Sequence, residues 1–290
     1  MRAFAYERPG RLADAIGLLA DQGPEARLLA GGTDLIIRIR DGSIRPRTVI
    51  DVKGIAELDG GIGEADDHLT IGARTVMTDI AADPRIRRDY DALVEGAAVV
   101  GAVQIRNRAT LAGNLCNASP AADTAPTLLV YGATLVAASS AGTRRLPVDD
   151  FFVRSGVTSL ARDELVTAIE LPRRVVPWGS VHVRRTRRRG HDLASVTLAC
   201  VVRADGVTLL AYGSVGPRPL LVVDETGVLA DSAASDAAKL ERLDALFVDA
   251  SPSPTSMRAS PEYRLAMLRV LGLRAVTMAI ERLAAGGGRS

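Results

Sequence analysis

The sequence predicts an α+β protein of two domains, and three observations predict it. At 290 residues the chain is about twice the usual domain length. A connector with proline at both ends, Pro172-Arg-Arg-Val-Val-Pro177, interrupts regular structure. Before it, strand and helix signals alternate; after it, strands follow one another and give way to one long helix. The expected division is residues 1–175, itself in parts at about 1–55 and 56–175, and residues 176–290.

The first part reads as a small βαβ-like unit. Apolar Phe4 to Tyr6 opens it, and Leu12, Ile16 and Leu19 recur at helical spacing over Arg11 to Asp21 before Gly23 and Pro24 stop the helix. Ala26 to Ala30 reads as a strand running into Gly31-Gly32-Thr33-Asp34 and a further apolar stretch, Leu35 to Ile39; Val49 to Val52 is another strand. In the second part, short strands (Leu69 to Gly72, Thr134 to Ala138, Leu165 to Leu171) are interleaved with helices near Tyr90 to Ala98 and Ala122 to Tyr131. Beyond the connector, Ser180 to Arg185, Ser195 to Arg203 and Val207 to Ser214 read as a meander of strands ending at Gly216-Pro217-Arg218-Pro219. Ser260 and Pro261 then cap and start a helix reaching about Ala284, with Leu265, Leu268, Leu271, Ala275, Ala279 and Leu283 as its packing stripe. Gly286 to Ser290 is expected to fray.

Composition excludes several classes. With 47% hydrophobic and 24% charged residues, the chain is globular and not disordered. Its apolar runs, such as Leu128 to Val130 and Val196 to Val202, fall far short of the roughly 20 residues of a membrane span. Met1 to Gly10 carries Arg2, Glu7, Arg8 and Pro9 where a secretion signal has an apolar core. Together with only two cysteines, Cys116 and Cys200, this points to the cytosol. Two cysteines also leave no iron–sulfur cluster or four-cysteine zinc site within the chain, and three histidines (His68, His182, His191) are too few for a histidine-rich metal centre. All 36 lysine-plus-arginine residues except Lys53 and Lys239 are arginine, a bias expected from genomic base composition. A net charge of +2 and 3% aromatic residues lack the stacking platforms of a nucleic-acid binder.

Neither the G-x-G-x-x-G nor the G-x-x-x-x-G-K-[ST] fingerprint is present. Two other segments carry chemistry. In Leu28-Leu-Ala-Gly-Gly-Thr-Asp-Leu35 a strand leads into two glycines and a helix start, which lets backbone N–H groups approach a phosphate. The same residues also suit a plain strand-to-helix turn with Asp34 as a cap. Gln104 to Asp123 packs small residues and amides around Gly113, then supplies Asp123 at the next helix start. It offers a second set of donors plus a carboxylate for a ribose or an adenine amino group, or else forms a polar connection. The run Arg184 to Arg189 reads as a solvated basic strand edge, and Trp178 as packing at the domain junction. His182 and His191 read as ordinary hydrogen-bonded histidines, and Cys116, with no activating His/Asn arrangement, as a small buried side chain.

In this order and spacing the two segments resemble the FAD-binding (medium) subunit of the molybdenum hydroxylases, the xanthine dehydrogenase and carbon monoxide dehydrogenase family. The resemblance covers nearly the whole chain. Thr70-Ile-Gly-Ala-Arg74, Gly132-Ala-Thr-Leu135, Leu146-Pro-Val-Asp-Asp-Phe-Phe152, Glu164-Leu165 with Ile169-Glu-Leu-Pro172, Arg187-Arg-Arg-Gly-His-Asp-Leu-Ala194 and Ser260-Pro-Glu-Tyr-Arg264 carry it further. It implies a two-subdomain FAD-binding domain of the vanillyl-alcohol-oxidase/p-cresol-methylhydroxylase type, followed by a C-terminal domain of a small antiparallel sheet with helices. The pyrophosphate would lie between the two loops. Backbone of Ala30, Gly31, Gly32, Thr33 and Asp34, flanked by Leu29 and Leu35, would contact it from one side, and Thr110, Gly113 and Asn114 from the other. By the same resemblance Asp123 binds the ribose or adenine side, and Val100, Gly101 and Val166 line the cofactor's flanks. Arg184 stands beside the isoalloxazine where many members have lysine, which is no neutral replacement. Where the family has two glycines before the asparagine, this chain has Ala112 first, and its methyl is expected to narrow the loop.

The activity implied is electron transfer. A molybdopterin-binding large subunit would hydroxylate the substrate, an iron–sulfur small subunit with [2Fe-2S] clusters would relay electrons, and the FAD of this chain would deliver them to NAD or a quinone. The assembly implied is a heterotrimer that can dimerise. Carbon monoxide dehydrogenases tend to have Gly-Gly-His-Ser where this chain has Gly-Gly-Thr-Asp, which disfavours carbon monoxide and leaves an N-heterocycle, a purine or an aldehyde. Two rivals share the fold. A self-contained flavin oxidase would need a base over the flavin, for which the sequence offers no strong candidate. A cofactor-free scaffold would not need the intact glycines and Asp123.

Overall fold

The computed structural model describes residues 3–188, 190 and 192–286. Met1, Arg2, Arg189, His191 and residues 287–290, on which parts of the sequence reading fall, lie outside the described residues. Strands β1 (Ala5–Glu7), β2 (Ala26–Leu29) and β3 (Thr48–Asp51) form a parallel sheet in the order β1-β3-β2. Helix α1 (Leu12–Gln22) joins β1 to β2, burying Ala15, Ile16 and Leu19 as the periodicity predicts. The apolar stretch after the glycines is helix α2 (Leu35–Arg40); only Ile39 is buried, and Ile36 and Ile37 face outward.

The second part centres on an antiparallel sheet of β4 (Ile62–Glu64), β5 (His68–Gly72), β6 (Thr134–Ser139), β7 (Gly142–Pro147) and β10 (Leu165–Pro172), in the order β4-β5-β10-β6-β7. Between β7 and β10 a short helix and a two-stranded ribbon of β8 (Phe152–Arg154) and β9 (Val157–Thr158) intervene. The segment from β5 to β6 is helical: α3 (Met77–Ala82), α4 (Pro84–Asp89), α5 (Asp91–Ala98), α6 (Val103–Arg106), α7 (Leu111–Cys116) and α8 (Thr124–Val130). One hydrophobic cluster, with Ile16, Ile50, Ile71, Leu93, Leu128 and Ile169 among its members, joins both sheets and these helices. Burial of this kind stabilises by about 25 cal/mol per Å² of apolar surface.

The third part is the expected meander: β11 (Trp178–Arg185), β12 (Val196–Arg203), β13 (Thr208–Gly213) and β14 (Leu220–Asp224), all antiparallel. Strand β14 extends the sheet beyond Pro219, where the sequence reading ended it. A long helix, Pro261–Gly286, packs on β11 so closely that a Cβ on Gly179 would lie 1.9 Å from the Ala279 carbonyl oxygen. Ser260 Oγ accepts from the Tyr263 N–H at 3.3 Å, the cap the sequence predicts. The predicted stripe needs one correction. Leu265 is 41% exposed, and Arg264, at 4%, occupies the inward face in register with Leu268, Leu271, Ala275 and Ala279.

Trp178 packs at the junction, as expected. Its ring stands 6.1 Å from Tyr90 and 5.7 Å from Tyr131, and its Nε1 donates to the Asp89 carbonyl at 2.8 Å. A second seam lies at the end of β13, where the Ser214 N–H donates to the Pro120 carbonyl at 2.7 Å. Among the described residues no helix is long and apolar enough to cross a membrane.

Candidate functional site

The first glycine loop leaves the C-terminal end of β2, the end at which parallel α/β sheets place their ligand crevices. Its two glycines answer different needs. A Cβ on Gly31 would lie 2.0 Å from the Arg108 carbonyl oxygen, so this glycine lets the first loop touch the backbone of the second. Gly32 has φ +77, a left-handed conformation that side chains disfavour. Thr33 is half-buried and Asp34 exposed. The Asp34 carboxylate makes no capping hydrogen bond to α2, which corrects the reading of Asp34 as a cap.

The second loop is pinned from beneath. The Met77 N–H donates to the Ala109 carbonyl at 2.9 Å and the Leu111 N–H to the Thr75 carbonyl at 3.2 Å, with a bridge between Val76 and Thr110. Thr110 then caps α7, its Oγ1 accepting from the Gly113 N–H at 3.1 Å. A Cβ on Gly113 would stand 2.8 Å from that oxygen, which is why glycine suits the position. Asn114 Oδ1 accepts from Thr124 Oγ1 at 2.7 Å, tying the loop to the start of α8. Ala112 is buried in the main hydrophobic cluster, so its methyl points into the core and does not narrow the loop as expected.

Asp123, at the head of α8, does not cap that helix. Its Oδ2 instead accepts from Arg184 Nη1 of β11 at 2.5 Å, and its Oδ1 lies 3.4 Å from His182 Nε2. His182 also bonds Thr197 Oγ1 at 2.8 Å, consistent with the ordinary hydrogen-bonded histidine the sequence suggests. Arg184 further donates to the carbonyls of Val99 and Asp192, both at 3.3 Å. The pair is nearly enclosed, with side chains 8% and 15% exposed, so its Coulomb attraction is little screened. Asp123 Oδ1 is a buried acceptor without a hydrogen-bond partner.

The resemblance assigns Asp123 to the ribose or adenine side and Arg184 to the isoalloxazine; in the structure the two side chains touch. Val100 and Gly101 lie beside the same pair, Gly101 at φ +53, and their carbonyls accept from Arg106 Nη1, both at 3.3 Å. Val166 sits at a bulge of β10, its side chain in the main core, on a strand that packs against α7. Leu29, Ala30 and Leu35 are half-buried around the first loop. Cys116 is exposed at the end of α7 and not buried as expected. Desolvation by the surrounding protein still pushes its thiol up to about 12, the opposite of an activated nucleophile.

The sequence reading missed Lys53, Arg74 and Arg264. Lys53 Nζ stands 3.4 Å from the Ala30 carbonyl, and its rarity in an arginine-rich chain was the available signal. Arg264 donates to the carbonyls of Ser195 and Ser214 at 2.8 and 2.6 Å, fixing the sheet edge that meets Pro120.

Apposed glycine loops and a buried acceptor beside a fixed cation suit a cofactor that carries both a diphosphate and a polar ring. Residues 2–174 match the FAD-binding domain of molybdopterin dehydrogenases, and residues 182–279 match the C-terminal domain of the carbon monoxide dehydrogenase flavoprotein. The chain therefore belongs to the FAD-binding medium subunits of the molybdenum hydroxylase family, oxidoreductase flavoproteins with an FAD domain and a C-terminal domain. The xanthine dehydrogenase FAD-binding subunit of Escherichia coli O157:H7 is 34% identical over 291 residues, covering 98% of each chain. The solved carbon monoxide dehydrogenase of Hydrogenophaga pseudoflava that lacks the Mo-pyranopterin moiety superposes with a TM-score of 0.89 at 28% identity, covering 97% of this chain and 98% of that one. Quinoline 2-oxidoreductase from Pseudomonas putida 86 gives 0.85 at 26% identity, over 97% and 98%.

Proposed function

We propose that this chain is the electron-transfer subunit of a multi-subunit hydroxylase, receiving electrons from [2Fe-2S] clusters of an iron–sulfur small subunit and passing them to NAD or a quinone. A molybdopterin-binding large subunit performs the hydroxylation, on an N-heterocycle, a purine or an aldehyde, and the three chains form a cytoplasmic heterotrimer that dimerises. Bound FAD supplies the conversion between paired and single electrons. Residues 1–175 form the cofactor domain and 176–290 the domain that closes over it.

The observation that carries this reading is the direct contact of the two glycine loops, Gly31 against the Arg108 carbonyl. Backbone of Ala30 to Asp34 and of Thr110 to Asn114 would hold the diphosphate, and Leu29, Leu35, Val100, Gly101 and Val166 would exclude water around it. We place Asp123 and Arg184 together at the flavin ring. Ribose and adenine are neutral and need only hydrogen bonds, whereas reduction adds negative charge to the ring, and a fixed cation is most useful there. Asp123 Oδ1 is then the acceptor available to a ring N–H. Because Arg184 is already paired with Asp123, it polarises the ring less than an unpaired cation would.

Purification of the chain with its genomic neighbours tests the reading. Flavin absorbance in this chain and a co-purifying cluster-bearing subunit are expected; the absence of both would sink it.

A further inference from the structure

Lys53 stands beside the first glycine loop, and Arg74 contacts Lys53. Lys53 follows β3, the central strand of the parallel sheet; its Nζ lies 2.6 Å from Asp51 Oδ1 and 3.4 Å from the Ala30 carbonyl oxygen. The other Asp51 oxygen accepts from the Tyr6 hydroxyl at 2.5 Å, so this carboxylate is held from both sides. Arg74 follows β5, in the segment that pins the second loop from beneath. Its Nη1 donates to the Lys53 carbonyl at 2.7 Å, and the next residue, Thr75, receives the Leu111 N–H. Arg74 therefore lies between the two segments that build the loops.

The charges do not balance. Asp51 neutralises Lys53, but among the described residues no carboxylate lies within ion-pair distance of Arg74. Its Nε is buried with no acceptor, a costly state for a guanidinium donor. One positive charge and one unused donor thus remain against Lys53, the residue that reaches the loop the fold places at the ligand crevice. An anion with oxygen acceptors satisfies both.

We infer that Arg74 and Lys53 anchor the diphosphate of the cofactor, Arg74 as a charge-assisted donor and Lys53 as a positioning residue. This rests on the FAD reading above. Lys53 holds the Ala30 carbonyl, and across a trans peptide the following N–H of Gly31 points the opposite way, away from Lys53. Arg74 matches phosphate oxygens with a planar fork that a lysine lacks.

The test compares the flavin-stripped full chain with Arg74→Met, Arg74→Lys and Lys53→Met, titrated with FAD and with ADP at low and high salt. A lost hydrogen bond to a charged group predicts that Arg74→Met weakens both ligands by about 10-fold to 100-fold. The salt dependence should flatten, with partial recovery in Arg74→Lys. Lys53→Met, acting through one peptide and already paired with Asp51, should weaken both by about threefold to tenfold. The melting temperature of the flavin-free chain should stay near the parent value, which a merely structural role would lower. Should Arg74→Met fail to fold, Arg74→Gln provides the same comparison without the charge. If the parent binds FAD but the Arg74 variants bind FAD and ADP with parental affinity and salt slope, the inference falls and the cofactor reading stands. If the parent binds no FAD, both fall.

Discussion

Replacing Gly31 by alanine tests the meeting of the two loops. The new Cβ would start 2.0 Å from the Arg108 carbonyl oxygen, 2.7 Å from its carbon and 3.0 Å from Ala109 Cα, all backbone atoms that no side-chain rotation can move. Real Cβ atoms essentially never come within 3.0 Å of another heavy atom, so the loops must part by at least about 1 Å. Forced separation of packed backbone costs about 1–3 kcal/mol of stability. Its effect on the cofactor is sharper, because backbone donors aimed from two sides then lose register; one such bond to a charged oxygen is worth about 1.5–3 kcal/mol. The expected outcome is an FAD dissociation constant raised about 100-fold, read by fluorescence titration and by flavin content per chain. Gly17→Ala is the control. That glycine lies exposed in α1 with nothing within 4 Å of its Cβ, so alanine should stabilise by about 0.5–1 kcal/mol and leave FAD binding unchanged. Parental FAD affinity in Gly31→Ala would refute the apposition of the loops.

Arg184→Met leaves the nearly enclosed Asp123 carboxylate unpaired and should cost about 3–5 kcal/mol in chemical denaturation. Adding Asp123→Asn should recover a large part of that loss, whereas simple additivity would show that the two do not interact. Asp224 gives a pH prediction: burial pushes its carboxyl up, but hydrogen bonds from Thr226, Arg242 and the Leu229 backbone outweigh this and hold it below the usual carboxylate value. A depressed folded pKa contributes stability that is full above the unfolded value of about 3.9 and is lost as pH falls through the folded one. Asp224→Asn should therefore destabilise most at neutral pH, with the gap to the parent narrowing below about pH 4; a constant gap across that range contradicts the assignment.

Local signals were legible in the sequence, and long-range pairings were not. The glycine pair stood out because tight backbone approach and a left-handed turn leave few alternatives, and α1, the strand meander and the Ser260 cap followed from periodicity and cap chemistry. Asp123 and Arg184 were each singled out, but nothing in sixty-one residues of separation indicated that they touch. Strand β7 carries mostly exposed residues, including Arg144 and Arg145, which pair with Glu164 and Glu170, so it lacks the apolar alternation of a strand with one buried face. On the long helix, Leu265 looked like core by residue type alone. The inward position belongs to Arg264, whose charge is hydrogen-bonded to Ser195, Ser214 and Ser256. Ala112 misled in the other direction, because a departure from the family pattern in the sequence turned out to be a methyl buried in the core.

The proposed route takes electrons out of the complex through the flavin of this chain. The most direct measurement is stopped-flow reduction of the purified complex by its substrate, before and after removal of FAD. In the stripped complex the [2Fe-2S] absorbance should still bleach while reduction of NAD or quinone stops, and acceptor reduction should return when FAD is added back. Undiminished acceptor reduction without flavin would rule this route out.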